Sequence, residues 1–344
     1  MSTSRREFLQ ASAATAGWFA LSACAGSGGA GEAAGGGAGV DFAAKRRLGR
    51  TDLWVSPVGF GGAEIGYGEV PQDQVDRLLN RALDLGLDAI DTAECYRESE
   101  ELIGKAVAHR RDEYLLFSKV GHWPTRDGWS AASIESTIER SLQRLRTDRL
   151  DLVHLHSCSQ AVLERGEAIE ALERAKSAGK VRYIGYSGDS AAAAYALSTK
   201  RFDTLMTSVN FADQEAIELL LPACREQGLG VVIKRALANA VWRYDDLPGN
   251  EYHQEYWRRM RALDFDFTRP ERRGDAGPTG PASIALRFAL SLPGVHTAVI
   301  GTTNPERFAE NQALLGAGPL PEDQIAAIRQ RWSEIAPPAW VGQI

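Results

Sequence analysis

DAIDTAECYRESEELIGKAVA, running from Asp88 to Ala108, contains the unit from which the rest of the chain is built. DAIDTA reads as a short buried strand, and Glu100 to Ala108 as the amphipathic helix after it. Between them lie Asp91 and Tyr96, a carboxylate and a phenol five residues apart. A charged residue at the close of a buried strand is poor core filler.

The alternation recurs on both sides of this unit from Lys45 onward. A first strand fits VGFGG (Val58 to Gly62), and the helix after it runs from Pro71 to Leu85, with Val75, Leu78, Leu79, Ala82 and Leu83 at helical spacing. YLLFSKV leads to a helix over Ala131 to Leu145, and LDLVHLH to one over Val162 to Ala178. VRYIGYS precedes Ala191 to Leu197, TLMTSVN precedes Ala216 to Gln227, and GVVIKRA is the seventh strand. The rhythm then breaks over Leu237 to Gly280. It resumes with a helix over Ala282 to Leu292, the strand TAVIGT, and a helix over Pro305 to Leu315. Gly86 and Gly179 sit just past helix ends, where a left-handed closing residue is easiest for glycine.

Eight such strands with their helices predict an α/β fold of the (β/α)8 TIM-barrel type. An open doubly wound sheet announces itself with GxGxxG after its first strand, and GFGGAEIG lacks that spacing. Two additions flank the barrel. The stretch from Arg47 to Ser56 reads as an N-terminal hairpin, and Glu322 to Ile335 as an extra C-terminal helix. The barrel domain is expected over residues 45–344.

The chain has 344 residues, 44% of them hydrophobic and 24% charged, with a formal net charge of -6. That is enough apolar material for a large core and no basic footprint for nucleic acid. Residues 1–23 differ from the body: Arg5 and Arg6 in SRREFLQ precede a weakly apolar stretch from Ala11 to Ala23, which resembles a twin-arginine export signal. The ending Leu21, Ser22, Ala23, Cys24 resembles a lipoprotein processing site. The expectation is a periplasmic or outer-surface protein whose membrane contact is a lipid on Cys24; an ordinary cleavable signal is the alternative. Residues 24–44, rich in Gly and Ala, read as a flexible tether. Of the 4 cysteines, Cys95, Cys158 and Cys224 belong to the barrel, where buried free thiols are expected.

In barrels of this kind the loops at the C-terminal strand ends build the site. Lys119 closes YLLFSKV and His156 closes LDLVHLH, so Asp91, Tyr96, Lys119 and His156 are expected on one face. An ammonium near a phenol favours the phenolate, and a carboxylate near a buried ammonium keeps it charged. A phenol and an imidazole together can polarise a carbonyl oxygen. No metal site is expected.

The order DTAECY, FSKV, DLVHLH resembles the aldo-keto reductase family, from about Lys45 to Asn311. The resemblance implies a catalytic tetrad of Asp91, Tyr96, Lys119 and His156, with Tyr96 as general acid and a nicotinamide cofactor, NADP(H) ahead of NAD(H). It also nominates Gly61, Ser187, Asn210, Lys234, Thr302, Thr303, Arg307, Glu310 and Asn311 as cofactor contacts. A phosphate is expected at the N-terminus of the helix starting near Pro305, with Arg307 as its cation.

The chain also departs from the family pattern. Arg97 stands where a glycine commonly follows the tyrosine, Gly188 where an asparagine is usual, Met206 for a glutamine, Lys234 for a stacking aromatic ring, and Gly301 for a lysine. Gly188, Met206 and Lys234 keep open a non-catalytic nucleotide-binding barrel with a membrane partner, and export away from free cofactor keeps open a redox-neutral sugar or polyol enzyme that retains its NADP(H). The partner otherwise expected is a small carbonyl or sugar substrate. His122, Trp123 and Trp129 in one loop, and Trp242, Tyr244, Tyr252, Tyr256 and Trp257 in the insertion, line it or simply pack their loops.

Overall fold

The computed structural model describes residues 41–122 and 128–343; the export signal, Cys24, most of the tether and Trp123 lie outside them. Among the described residues there are ten strands: β1 (Arg46–Arg47), β2 (Trp54–Val55), β3 (Val58–Gly61), β4 (Ala89–Asp91), β5 (Leu115–Val120), β6 (Leu150–His156), β7 (Val181–Ser187), β8 (Thr204–Ser208), β9 (Gly230–Lys234) and β10 (Thr297–Gly301). The first two form an antiparallel hairpin, and the other eight a closed parallel barrel in which β10 pairs with β3.

Residues on a strand alternate between two faces, and here that period decides what fills the barrel. Ala89, Phe117, Leu152, Met206, Val232 and Val299 form one apolar cluster with Leu48, Leu53 and Val55 of the hairpin segment. The hairpin therefore plugs the end of the barrel where the strands begin. Gly49, at φ 58°, lies so close beneath β9 that a Cβ there would come within 2.2 Å of the Gly230 amide nitrogen. Two residues further along the same strands come Asp91, Lys119, His154, Ser208 and Lys234. The lumen is apolar below and polar at its far mouth.

The helices follow the sequence expectation with three informative differences. The predicted helix over Val162 to Ala178 is two, Gln160–Arg165 and Glu167–Ser177, because Gly166 between them adopts φ 75°. The segment Ala216 to Gln227 likewise divides into Glu215–Leu219 and Leu221–Gln227, with Pro222 in the first turn of the second. Proline lacks the N–H that a continuous helix would need there. The interruption after β9 contains a further helix, Glu251–Leu263, whose N-cap Asn250 accepts from the Tyr252 amide at 3.0 Å. The C-terminal helix Glu322–Ile335 is present as expected.

Candidate active site at the barrel mouth

On β4 and β5 the two-residue period carries the chain from Ala89 to Asp91 and from Phe117 to Lys119, so both charged side chains stand directly above the apolar layer. Lys119 Nζ donates to Asp91 Oδ2 at 2.5 Å and to the Thr92 carbonyl at 2.8 Å. The side chains are only 2% and 4% exposed. Removing two ions from water costs several kcal/mol each, so such a pair persists only when it is well hydrogen-bonded. Burial works against the ammonium of Lys119, yet the charge and hydrogen bond of Asp91 outweigh it and the pKa of Lys119 is raised. Burial pushes the Asp91 carboxyl upward, with Lys119 holding it back.

Tyr96 lies over this pair, its ring centroid 4.9 Å from Lys119 Nζ. The loop that holds it is tied at several points. Thr92 and Ser99 hydroxyls meet at 2.9 Å, and Ser99 Oγ donates to the Gly62 carbonyl at 2.8 Å. Gly66 makes the closest approach: a Cβ there would lie 2.0 Å from the Tyr96 carbonyl oxygen. Burial dominates and pushes Tyr96 up to about 12, against the Lys119 charge, which lowers the phenol's pKa as expected but does not prevail. The phenol keeps its proton across the neutral range.

Arg97 sits at φ 46°, in the left-handed region that favours glycine, and its guanidinium lies 5.3 Å over the Tyr67 ring. His156 presents an edge to Tyr96, with ring centroids 5.7 Å apart, and His122 lies 5.1 Å from His156 on another side. Burial, then the Lys119 charge, lowers the His156 pKa well below its usual value, so the ring is neutral. The Cys95 sulfur is 3.3 Å from His156 Nδ1. Burial raises that thiol to about 11, so its S–H is retained, and the contact serves either tautomer of the neutral imidazole. Cys95, Cys158 and Cys224 are all free thiols.

Across the mouth, β7 to β9 build a different arrangement. Ser187 closes β7 and is buried. Two residues on, Asp189 accepts from Thr207 Oγ1 at 2.8 Å, the Ser208 amide at 2.7 Å and Lys234 Nζ at 2.7 Å. Burial alone would raise the Asp189 pKa, but Lys234 and these donors bring it below the ordinary value. Arg235 donates to Ser208 Oγ at 3.1 Å and to the Tyr252 hydroxyl at 2.6 Å. The Asn210 side chain is occupied within the chain: it donates to the Arg235 carbonyl at 3.0 Å and accepts from the Ala212 amide at 2.8 Å.

At the β3–β10 seam, Gly61 pairs with Gly301, and a Cβ on Gly61 would come 3.2 Å from the Gly301 nitrogen. Thr302 Oγ1 accepts from the Asn304 amide and Asn304 Oδ1 from the Glu306 amide, each at 3.0 Å. These turns delay the helix to Arg307–Leu315, two residues after the expected start. Thr303, Glu310 and Asn311 stand with Arg307 on this segment, where Arg307 is ion-paired to Glu310 and Asn311 is buried.

Residues 57–333 match the model of the Aldo/keto reductase family. The chain belongs to that family. It is therefore an oxidoreductase acting on carbonyl or alcohol groups. It is 28% identical over 302 residues to the uncharacterised oxidoreductase YqkF of Bacillus subtilis, covering 83% of this chain and 95% of that one. Among solved structures, aldo-keto reductase AKR11C1 of Bacillus halodurans in its holo form has a TM-score of 0.69 and 28% identity over 84% of this chain and 96% of its own. An aldo/keto reductase of Klebsiella pneumoniae in complex with NADP and acetate has a TM-score of 0.66 and 28% identity, covering 86% and 96%.

Sequence reasoning about this aldo/keto reductase missed Asp189, Ser208, Arg235 and Gln343 at the mouth. The period of two from Met206 would have found Ser208; Gln343 had no signal at all. Most of the insertion aromatics pack their loop: Trp242 and Tyr256 are buried, and Trp257 Nε1 donates to the Tyr244 carbonyl at 3.1 Å. Tyr252 is the exception, 55% exposed.

Proposed function

We propose that this protein reduces an aldehyde or ketone, or oxidises the matching alcohol, with NADP(H), and that Tyr96 moves the proton. The observation that carries the reading is the buried Lys119–Asp91 pair directly beneath Tyr96. Raised to about 12, the Tyr96 phenol holds its proton until a carbonyl oxygen gaining negative charge accepts it. The Lys119 ammonium then stabilises the phenolate left behind, and Asp91 keeps that ammonium charged. His156, in the tautomer that carries its proton on Nε2, is the second donor for the same oxygen, with Nδ1 facing the Cys95 sulfur. For alcohol oxidation the same groups act in reverse.

A bound nicotinamide supplies the hydride to the carbonyl carbon, or takes it up from the alcohol. Several features of the chain fit such a nucleotide. Asp91 Oδ1 is buried with no donor among the described residues, and a ribose hydroxyl is the kind of group that satisfies it. Gly61 and Gly301 leave the β3–β10 seam without side chains, so a ligand can approach the backbone. Lys234 and Arg235 offer two cations for phosphate, and Arg307 a third at the Thr302–Asn311 segment. NADP is bound by the Klebsiella relative and supports NADP(H) here. SRREFLQ and Cys24 support export by the twin-arginine route and a lipid anchor on the thiol.

Mass spectrometry of the purified full chain for bound dinucleotide, and assay of wild type and Tyr96→Phe on a panel of carbonyl compounds, tests this reading. Tyr96→Phe is expected to lose roughly 10²- to 10⁴-fold in turnover with nucleotide affinity unchanged. Turnover that survives the substitution would remove Tyr96 from the reaction.

A further inference from the structure

The described chain ends in a segment, Trp340 to Gln343, that lies beyond the residues matching the family model and crosses the β7–β9 side of the mouth. The Gln343 carbonyl oxygen accepts from Ser208 Oγ at 3.3 Å, from Lys234 Nζ at 3.4 Å, and from Arg235 Nη1. Its amide donates to Asp213 Oδ2 at 3.2 Å, and the Gly342 amide to Glu215 Oε2 at 2.7 Å. Arg259 donates to the Val341 carbonyl at 2.9 Å and stacks 5.4 Å over the Trp340 ring, which in turn meets Trp332 at 5.4 Å. Gly342 passes so close to Asp189 that a Cβ would lie 2.5 Å from the aspartate's own Cβ.

We propose that Trp340–Gln343 is a strap that competes with the nucleotide for Ser208, Lys234 and Arg235, and so sets how fast and how tightly this chain takes up its cofactor. The inference rests on the NADP(H) reading. One neutral carbonyl oxygen collects three donors, two of them cationic, at strand ends where nucleotide phosphates are expected. A phosphate oxygen carries negative charge that the Gln343 carbonyl lacks, so it is the stronger acceptor for the same cations. The nucleotide gains these groups only by displacing the strap, which forfeits its bonds to Asp213, Glu215 and Arg259.

An affinity measured against a mostly closed strap is reduced by the open fraction; if that fraction is about 1–10%, the apparent Kd is weakened about 10- to 100-fold. Entry is slowed by the same fraction, while exit from the loaded, already open form is not.

Two variants open the strap without touching Ser208, Lys234 or Arg235: Gly342→Leu, whose side chain has no room against Asp189, and a chain ending at Ala339. NADPH binding is read by fluorescence titration and stopped flow, with thermal melts to show that both variants are folded. The expected result is NADPH binding about tenfold or more tighter and faster than in the full chain. In the full chain, hydrogen exchange in the peptide spanning residues 340–343 should rise when NADPH is added, a readout independent of turnover. Unchanged affinity in both variants overturns the competition alone. Weaker binding, with exchange falling on NADPH addition, overturns it too and makes the segment a lid over the nucleotide. Failure of every form to bind NADPH overturns it together with the cofactor reading.

Discussion

The two halves of the barrel mouth handle buried charge in different ways. On the β4–β6 side, Lys119 has one carboxylate and one carbonyl within reach, and its ammonium and Asp91 are closed off together under Tyr96. On the β7–β9 side, Lys234 is 16% exposed, and its carboxylate Asp189 has two strong donors besides it. Its remaining hydrogen bond is to a segment from the far end of the described chain. The first arrangement suits chemistry on a small group. The second suits a ligand that must enter and leave.

That contrast is most easily broken by removing each lysine. Lys119→Met leaves Asp91 as a buried charge with no donor, and we expect about 3–5 kcal/mol of lost stability in urea unfolding, along with activity. Lys234→Met leaves Asp189 with the Thr207 hydroxyl and the Ser208 amide, so about 1–3 kcal/mol is expected. Equal losses would mean the two halves do not differ as described.

A second test uses Asp213, which burial, then the neighbouring Asp189, raises from 3.8 to about 7. The folded protein thus holds this proton more tightly than the unfolded chain. Its contribution to stability is full below the unfolded value and is lost as pH rises through about 7. Asp213→Asn should flatten the part of the stability curve between these two values, as measured by unfolding at a series of pH values.

A third sharpens the first half. Because the Tyr96 phenol titrates only at about 12, kcat/KM for carbonyl reduction should show no loss from Tyr96 deprotonation between about pH 7 and about pH 10. A fall beginning near neutrality that disappears in Tyr96→Phe would mean Lys119 outweighs burial after all. The smallest effect is expected for Arg97→Gly: removing a side chain from φ 46° should raise stability by about 1 kcal/mol or less, readable as a small gain in thermal midpoint.

Much of the barrel was legible because strand and helix periods are local. Ala131–Leu145 was read with its observed bounds, since Leu142, Leu145 and the other buried positions keep helical spacing and Ser130 caps the first turn. Local chemistry also explains the misreadings. Gly166 and Pro222 each break a helix whose apolar spacing continues across them, and the turns at Thr302 and Asn304 use up amides that a helix from Pro305 would have left free. Met206 stood out as a departure from the family pattern, and the structure gives it a task in the apolar floor with Leu48.

By itself the sequence determined which residues share the lumen face of the mouth. A period of two along a strand is a property of the backbone, so Asp91, Lys119 and His156 follow from Ala89, Phe117 and Leu152 without reference to distant residues. Only the tertiary structure decided what those residues meet. That Cys95 faces His156, that burial outweighs Lys119 at Tyr96, and that Gln343 reaches Lys234 and Arg235 all depend on distances set by closing the barrel. Desolvation and hydrogen bonding act across space, and no local pattern in the sequence records them.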